Sequence, residues 1–154
     1  MANKNSGQFA FLTLKKLAKK SVDDTLLKLK KAHENHRHAQ SQLHVLNGYY
    51  AEYQQKLNNA LSRGIKGGEL NNFNAFISTI EQGIAQQQKV LLTLDIKQKQ
   101  ITNQLNQSQK SLNTYTTLLD KQYKKQQQQQ NRLQQKLTDE FAQLQLARRA
   151  LNEY

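Results

Sequence analysis

Ser62-Arg63-Gly64-Ile65-Lys66-Gly67-Gly68-Glu69 holds three of the six glycines of a 154-residue chain and stands between two long hydrophobic repeats. On its N-terminal side, alternate steps of four and three connect Ala18, Val22, Thr25, Leu29, Ala32, His36, Ala39, Leu43, Leu46, Tyr50, Tyr53, Leu57 and Ala60. Only Thr25 and His36 depart from an apolar or aromatic pattern. On its C-terminal side the same stepping connects Phe73, Ile77, Ile80, Ile84, Gln87, Leu91, Leu94, Gln98, Ile101, Leu105, Ser108, Leu112, Tyr115 and Leu119. Here the exceptions are Gln87, Gln98 and Ser108. Alternating fours and threes is a 3.5-residue period, the narrow seam of a left-handed coiled coil rather than the broad stripe of a globular helix.

The glycine cluster between the seams reads as a turn, because glycine accepts positive φ and weakens helix. The expected fold is therefore all-α: an antiparallel two-helix coiled coil with unequal arms, forming one coiled-coil domain over residues 1–154. Its first helix is expected at about 11–62, its turn at about 63–69 and its second helix at about 70–151. Asn71 and Asn72 are expected to cap the second helix through their side-chain oxygens. At ~1.5 Å per residue the arms would measure roughly 80 and 120 Å. The shorter arm should run out opposite about Tyr123. Beyond it come Lys124-Lys125 and five glutamines, Gln126 to Gln130, before apolar residues resume at Leu133, Leu137, Leu144 and Leu151. That overhang reads either as a docking element or as a solvated tail.

Composition agrees with a slender fold. There is no Pro, Cys or Trp, and 36% apolar with 7% aromatic residues is lean beside the roughly 45–50% apolar content of globules. An uninterrupted helix tolerates no interior proline, and two narrow seams need few apolar residues. Without cysteine there is no disulfide, thiolate metal ligand or thiol nucleophile. No run approaches the ~18 apolar residues of a membrane span, and the polar stretch from Met1 to Phe9 lacks the apolar core of a secretion signal. The expectation is a soluble cytosolic protein that does not insert into membranes.

Catalysis finds little support. No Gly-x-Ser-x-Gly elbow occurs, and the glycine cluster lacks the spacing of a phosphate-binding loop. Asp23-Asp24 and Asp139-Glu140 fall near the ends of long helices, where no cleft would desolvate a carboxylate. His33, His36, His38 and His44 lie close in sequence but radiate around a helix instead of converging as metal ligands must. No catalytic residue, metal site or cofactor is expected.

Lys and Arg number 23 against 11 Asp and Glu, a formal charge of +12. Residues 1–31 alone hold eight Lys and two Asp, a balance of +6. Such a face attracts nucleic acid, anionic lipid or an acidic protein. Aromatics interleaved with cations, which would support nucleic-acid recognition, are missing, so no nucleic acid is expected. The other reading of the charge is a basic coil on nucleic acid or an anionic membrane surface, with Phe9 to Lys20 as its amphipathic helix.

Gln42, Leu46, Tyr49 and Tyr53 form a stripe rotated from the Leu43–Tyr50–Leu57 line, and one slim partner helix cannot bury both. Across the turn, Phe73, Phe76, Ile77 and Ile80 are likewise too wide for a seam. Part of this apolar surface should be exposed near the turn as a binding site; a locally thicker core is the alternative.

These residues resemble the FliJ family, small coiled-coil components of the bacterial flagellar type III export apparatus. The resemblance is carried by Leu14-x-x-Leu17-Ala18 with Val22-Asp23-Asp24, then Gln42-Leu43-x-x-Leu46-x-x-Tyr49-x-x-Glu52-Tyr53-x-x-x-Leu57. It continues through Phe76-Ile77-x-Thr79-Ile80-Glu81-x-x-Ile84 and Asp139-Glu140-Phe141-Ala142-Gln143, keeping family order from about residue 10 to 145. It implies a non-enzymatic, stalk-like rod that inserts the end bearing both termini into the hexameric export ATPase ring and promotes ring assembly and activity. It also implies a link to the export-gate membrane protein, binding of export chaperones, and a place at the inner face of the cell membrane at the flagellar base. The family's gate surface falls here on Gln42, Leu46, Tyr49, Tyr53, Phe76 and Ile80. Two further positions, Gly83 and Gln87, depart from the larger side chains expected. The ring contact would involve Lys15, Lys16, Lys19, Lys20, Asp139, Glu140 and Phe141.

Overall fold

The computed structural model describes the backbone of residues 2–154 and the side chains of residues 6–154. Two helices, α1 (Ala2–Arg63) and α2 (Gly67–Asn152), make up the described chain and pack against each other; among the described residues there is no strand. The connection is only three residues, Gly64 to Lys66. Gly64 has φ +87°, the left-handed conformation that ends a helix at least cost when the residue is glycine. Its N–H donates to the Leu61 carbonyl at 3.3 Å, and the Leu70 N–H donates back to the Lys66 carbonyl at 3.1 Å.

That second bond makes Lys66 the residue from which α2 starts. Gly67 and Gly68, expected in the turn, lie in the first helical turn, where N–H groups have no intrahelical partner in any sequence. Asn71 and Asn72, expected as caps, are consequently interior to the helix. Glu69 occupies the first turn and Arg63 the last turn of α1, charges of the sign that each helix end favours.

By contacts the chain divides into two compact units. One is Val22–Gln107, the hairpin around the turn. Its buried and half-buried residues on α1 are the seam from Val22 through Thr25, Ala32, Ala39, Tyr53 and Leu57 to Ala60; on α2 they include Phe73, Ile77, Ile80, Ile84, Ile101 and Leu105. No described side chain in this seam is completely enclosed, as expected when one helix covers another from one side.

Polar residues in the hairpin seam are matched across it. The Gln87 amide nitrogen donates to the Ala39 carbonyl (3.0 Å) and to Gln42 Oε1 (3.1 Å). Gln98 Nε2 donates to the Ala32 carbonyl (3.4 Å) and meets His33 Nδ1 at 2.9 Å. His36 Nε2 meets the Asp95 carboxylate at 2.7 Å. Three breaks in the apolar pattern, His36, Gln87 and Gln98, are thus cross-helix clasps.

The other unit holds the residues up to Ser21 together with Ser108–Tyr154. Its seam continues toward the N-terminus beyond Ala18 through Lys15, Phe11 and Gln8, with the aliphatic stem of Lys15 serving as cover. Ser21 and Ser108 share a hydrogen bond of 3.0 Å, and Gln126 donates to Gln8 Oε1 at 3.3 Å. Gln126 is also the last covered residue of α2. Every residue from 127 to 154 is exposed, including Leu133, Leu137, Phe141, Leu144 and Leu151. The pairing therefore ends a few residues beyond the expected Tyr123, because α1 begins earlier than its apolar periodicity alone indicates.

Candidate functional site

The surface singled out near the turn lies wholly within the hairpin unit, and its six residues divide by exposure. Tyr49 is 50% exposed and Phe76 45%, two large aromatics on a solvent-facing surface. Gln42 is exposed, while Leu46 and Tyr53 are half-buried. Ile80 is different. At 6% exposure it faces the partner helix as a core residue, in keeping with its place in the seam repeat, so the exposed part of the six does not include it. Its position four residues after Phe76 and three after Ile77 places it on the seam column, one step around from the Phe76 column.

Across the hairpin, the Tyr53 and Phe76 rings lie with centroids 4.4 Å apart, tilted by 43°. A tilted arrangement suits the quadrupoles of two aromatic rings better than a face-to-face sandwich. Lys56 Nζ sits 4.9 Å from the centre of the Tyr53 ring and 3.0 Å from the Glu52 carboxylate. The hydrogen bond from Lys56 to Glu52, followed by the carboxylate's charge, raises the Lys56 pKa above the ordinary lysine value.

Farther from the turn, Leu46 lies over Gly83. A Cβ placed on Gly83 would stand 3.8 Å from Leu46 Cδ2, so the missing side chain leaves a dip that Leu46 borders without filling. Next to it, Ser41, Gln42, Val45, Leu46 and Gln87 line a shallow groove. Gly83 and Gln87, the two departures from the family pattern, thus adjoin Leu46 and Gln42 in space. Val45, 49% exposed, escaped sequence reasoning. Three residues beyond Gln42, it could have been found as an apolar residue off the seam.

The groups assigned to a ring contact belong to the other unit. Lys16, Lys19, Lys20, Asp139, Glu140 and Phe141 are exposed, and Lys15 is half-buried in the seam. Phe141 is 63% exposed. The arrangement as a whole offers aromatic anchors and ionic groups on helix surfaces. Among the described residues there is no group of three or more His, Cys, Asp or Glu suited to hold a metal ion, and no helix long and apolar enough to cross a membrane.

Comparison with known proteins agrees with this architecture. The family model described as "Flagellar FliJ protein" matches residues 7–151. The chain is 34% identical over 134 residues to the flagellar FliJ protein of Escherichia coli, covering 87% of this chain and 91% of that one. The FliJ protein of Salmonella typhi gives the same identity and coverage. That of Buchnera aphidicola is 32% identical over 71 residues, 46% of this chain and 49% of its own. No solved structure gives a significant match. A match that runs through both seams, the turn between them and most of the exposed end of α2 places this chain in the FliJ family of flagellar proteins.

Proposed function

We propose that this protein is a non-enzymatic component of the flagellar type III export apparatus. It acts as a stalk-like coil that promotes assembly and activity of the export ATPase ring, links the ring to the cytoplasmic domain of the export-gate membrane protein, and binds export chaperones. It works at the inner face of the cell membrane at the flagellar base, without inserting, and uses no cofactor.

The observation that carries this reading is the exposed pair Tyr49 and Phe76 beside the groove of Gln42, Leu46 and Gln87, in a chain of the FliJ family. Aromatic side chains contribute large contact areas to protein interfaces and commonly dominate their affinity. Tyr53 supports Phe76 by stacking, so the anchor is held before a partner arrives and loses little freedom on docking. Ile80 contributes from beneath, as the core residue on which this surface rests. On the ring side, the exposed Lys16, Lys19, Lys20, Asp139, Glu140 and Phe141 supply ionic and aromatic groups for polar loops lining a ring, with Lys15 partly engaged in the seam.

The test is reconstitution with the purified export ATPase and the cytoplasmic domain of the gate protein. The full chain should raise ATPase turnover, and Tyr49→Ala with Phe76→Ala should lose gate binding while keeping that stimulation. Failure of the wild-type chain either to stimulate the ATPase or to bind the gate domain would refute the corresponding half of the proposal.

A further inference from the structure

A second groove lies in the same hairpin unit, with a volume of about 430 Å³. Lys28, Lys31 and Asn35 of α1 and Lys97, Gln100 and Gln104 of α2 line it, over the buried Ala32 and Ile101. No carboxylate borders it. Among the described residues the only lysine in an ion pair is Lys56, so none of the three groove cations is held by a carboxylate, although Asp24 and Glu34 lie one helical turn from Lys28 and Lys31. Three like charges around one concavity repel each other and favour a polyanionic occupant.

The groove belongs to the same face of the hairpin as Tyr49 and Phe76. In a heptad coil, residues seven apart hold the same position relative to the partner helix. On α1 that column runs Lys28, Asn35, Gln42, Tyr49; on α2 it runs Phe76, Gly83, Val90, Lys97, Gln104. The face is therefore aromatic and apolar near the turn, and cationic two to three heptads farther along.

We propose that the groove of Lys28, Lys31 and Lys97 binds an acidic segment of a protein partner, as an extension of the aromatic surface. Its placement beside that surface rests on the reading of Tyr49 and Phe76 as protein anchors; the charge of the groove does not. Partner carboxylates accept charge-assisted hydrogen bonds from the three ammonium groups. The side-chain amides of Asn35, Gln100 and Gln104 both donate and accept, which suits a polypeptide. No aromatic and no arginine borders the groove, so it offers neither the stacking platform of a single-strand binder nor the bidentate fork of a phosphate clamp. Lined over eight residues on each helix, seven rises of ~1.5 Å, it spans about 10 Å, two turns of an acidic helix with carboxylates three or four residues apart.

The probe is a blocked Glu/Ala helical peptide of about 14 residues, labelled for anisotropy and titrated into the full chain at low salt. The triple variant K28E/K31E/K97E should weaken binding at least about tenfold, and K30E/K89E/K110E, with the same change in charge, about threefold or less, which separates a site from general attraction between charges. Amide-shift changes in the wild type should cluster at residues 28–35 and 97–104. Helical circular dichroism verifies that both variants fold. Parallel titrations use inorganic phosphate, phosphatidylcholine vesicles containing phosphatidylglycerol, and oligothymidylate. Equal weakening by both triple variants, no peptide binding by the wild type, or stronger binding of vesicles or oligonucleotide at these residues would overturn the proposal. Tyr49→Ala with Phe76→Ala should leave peptide binding intact, so loss of the gate interaction and loss of the groove are read separately.

Discussion

Tyr53 and Phe76 stack across the hairpin at 4.4 Å between ring centroids, whereas Tyr49, four residues earlier on α1, has no ring partner among the described residues and stands half exposed. Two tyrosines on one stripe therefore do different work. Tyr53→Ala removes a cross-helix contact and should destabilise the hairpin by about 1–2 kcal/mol. Tyr49→Ala should change stability by about 0.5 kcal/mol or less while weakening binding of the export-gate domain. Thermal unfolding of the two single variants, set beside gate binding, checks the division.

Ile80 and Gly83 give a second contrast. Ile80→Ala opens a void in the seam and should cost about 2–4 kcal/mol, so any loss of partner binding would follow from loss of structure. Gly83→Ala places a methyl group at ordinary contact distance from Leu46. It should stabilise α2 by about 0.5–1 kcal/mol, the usual difference between glycine and alanine inside a helix. Opposite shifts in denaturation midpoint are expected; a destabilised Gly83→Ala would show that the dip cannot accommodate a side chain.

The glutamine clasps trade stability for alignment. Gln98→Leu would give up the bonds to Ala32 and His33 but bury apolar surface at a seam position. A net gain of about 1 kcal/mol is expected. The same change should make the register between the helices less unique, since polar seam residues specify alignment. Cysteine pairs introduced at facing seam positions would measure this: crosslinks should form in one register in the wild type and in more than one in the variant.

Residues 131–154 bury nothing against α1. Ending the chain after Gln130 should leave the unfolding midpoint of residues 22–107 unchanged to about 0.5 kcal/mol. In the full chain, amide exchange in the truncated stretch should be orders of magnitude faster than around Ile80 and Ile101, because helix without tertiary burial opens easily. Slow exchange at Leu137 or Leu144 would mean that the stretch has found a partner, another copy included.

Sequence periodicity reached as far as one helix can report on itself. The seam from Val22 to Leu119 was legible because a 3.5-residue step leaves little choice of column. Ile80 stood both in the seam repeat and in the apolar surface beside it, because neighbouring columns can both be apolar and only the partner's position decides which is covered. The continuation through Lys15 and Gln8 was hidden by long polar side chains whose stems can cover a seam. Asn71 and Asn72 looked like caps because nothing in their identity shows that α2 begins at Gly67. His36 with Asp95, and Gln87 with Gln42, were invisible as pairs because the match between arms depends on the turn to the single residue. The aromatic surface was found for the opposite reason: Tyr49 and Phe76 do not fit the narrow seam, and misfits are what periodicity detects best.

The cross-helix clasps bring one further consequence. Apart from His36 with Asp95 and the His33 contact of Gln98, they are made by amides, hydroxyls and backbone carbonyls, which neither ionise in the physiological range nor weaken much when counterions accumulate. The outside of the molecule is strongly ionic. Scaffold and surface thus answer to different features of the medium, and the ions around the protein can tune its charged exterior while the alignment of its two helices stays as it was.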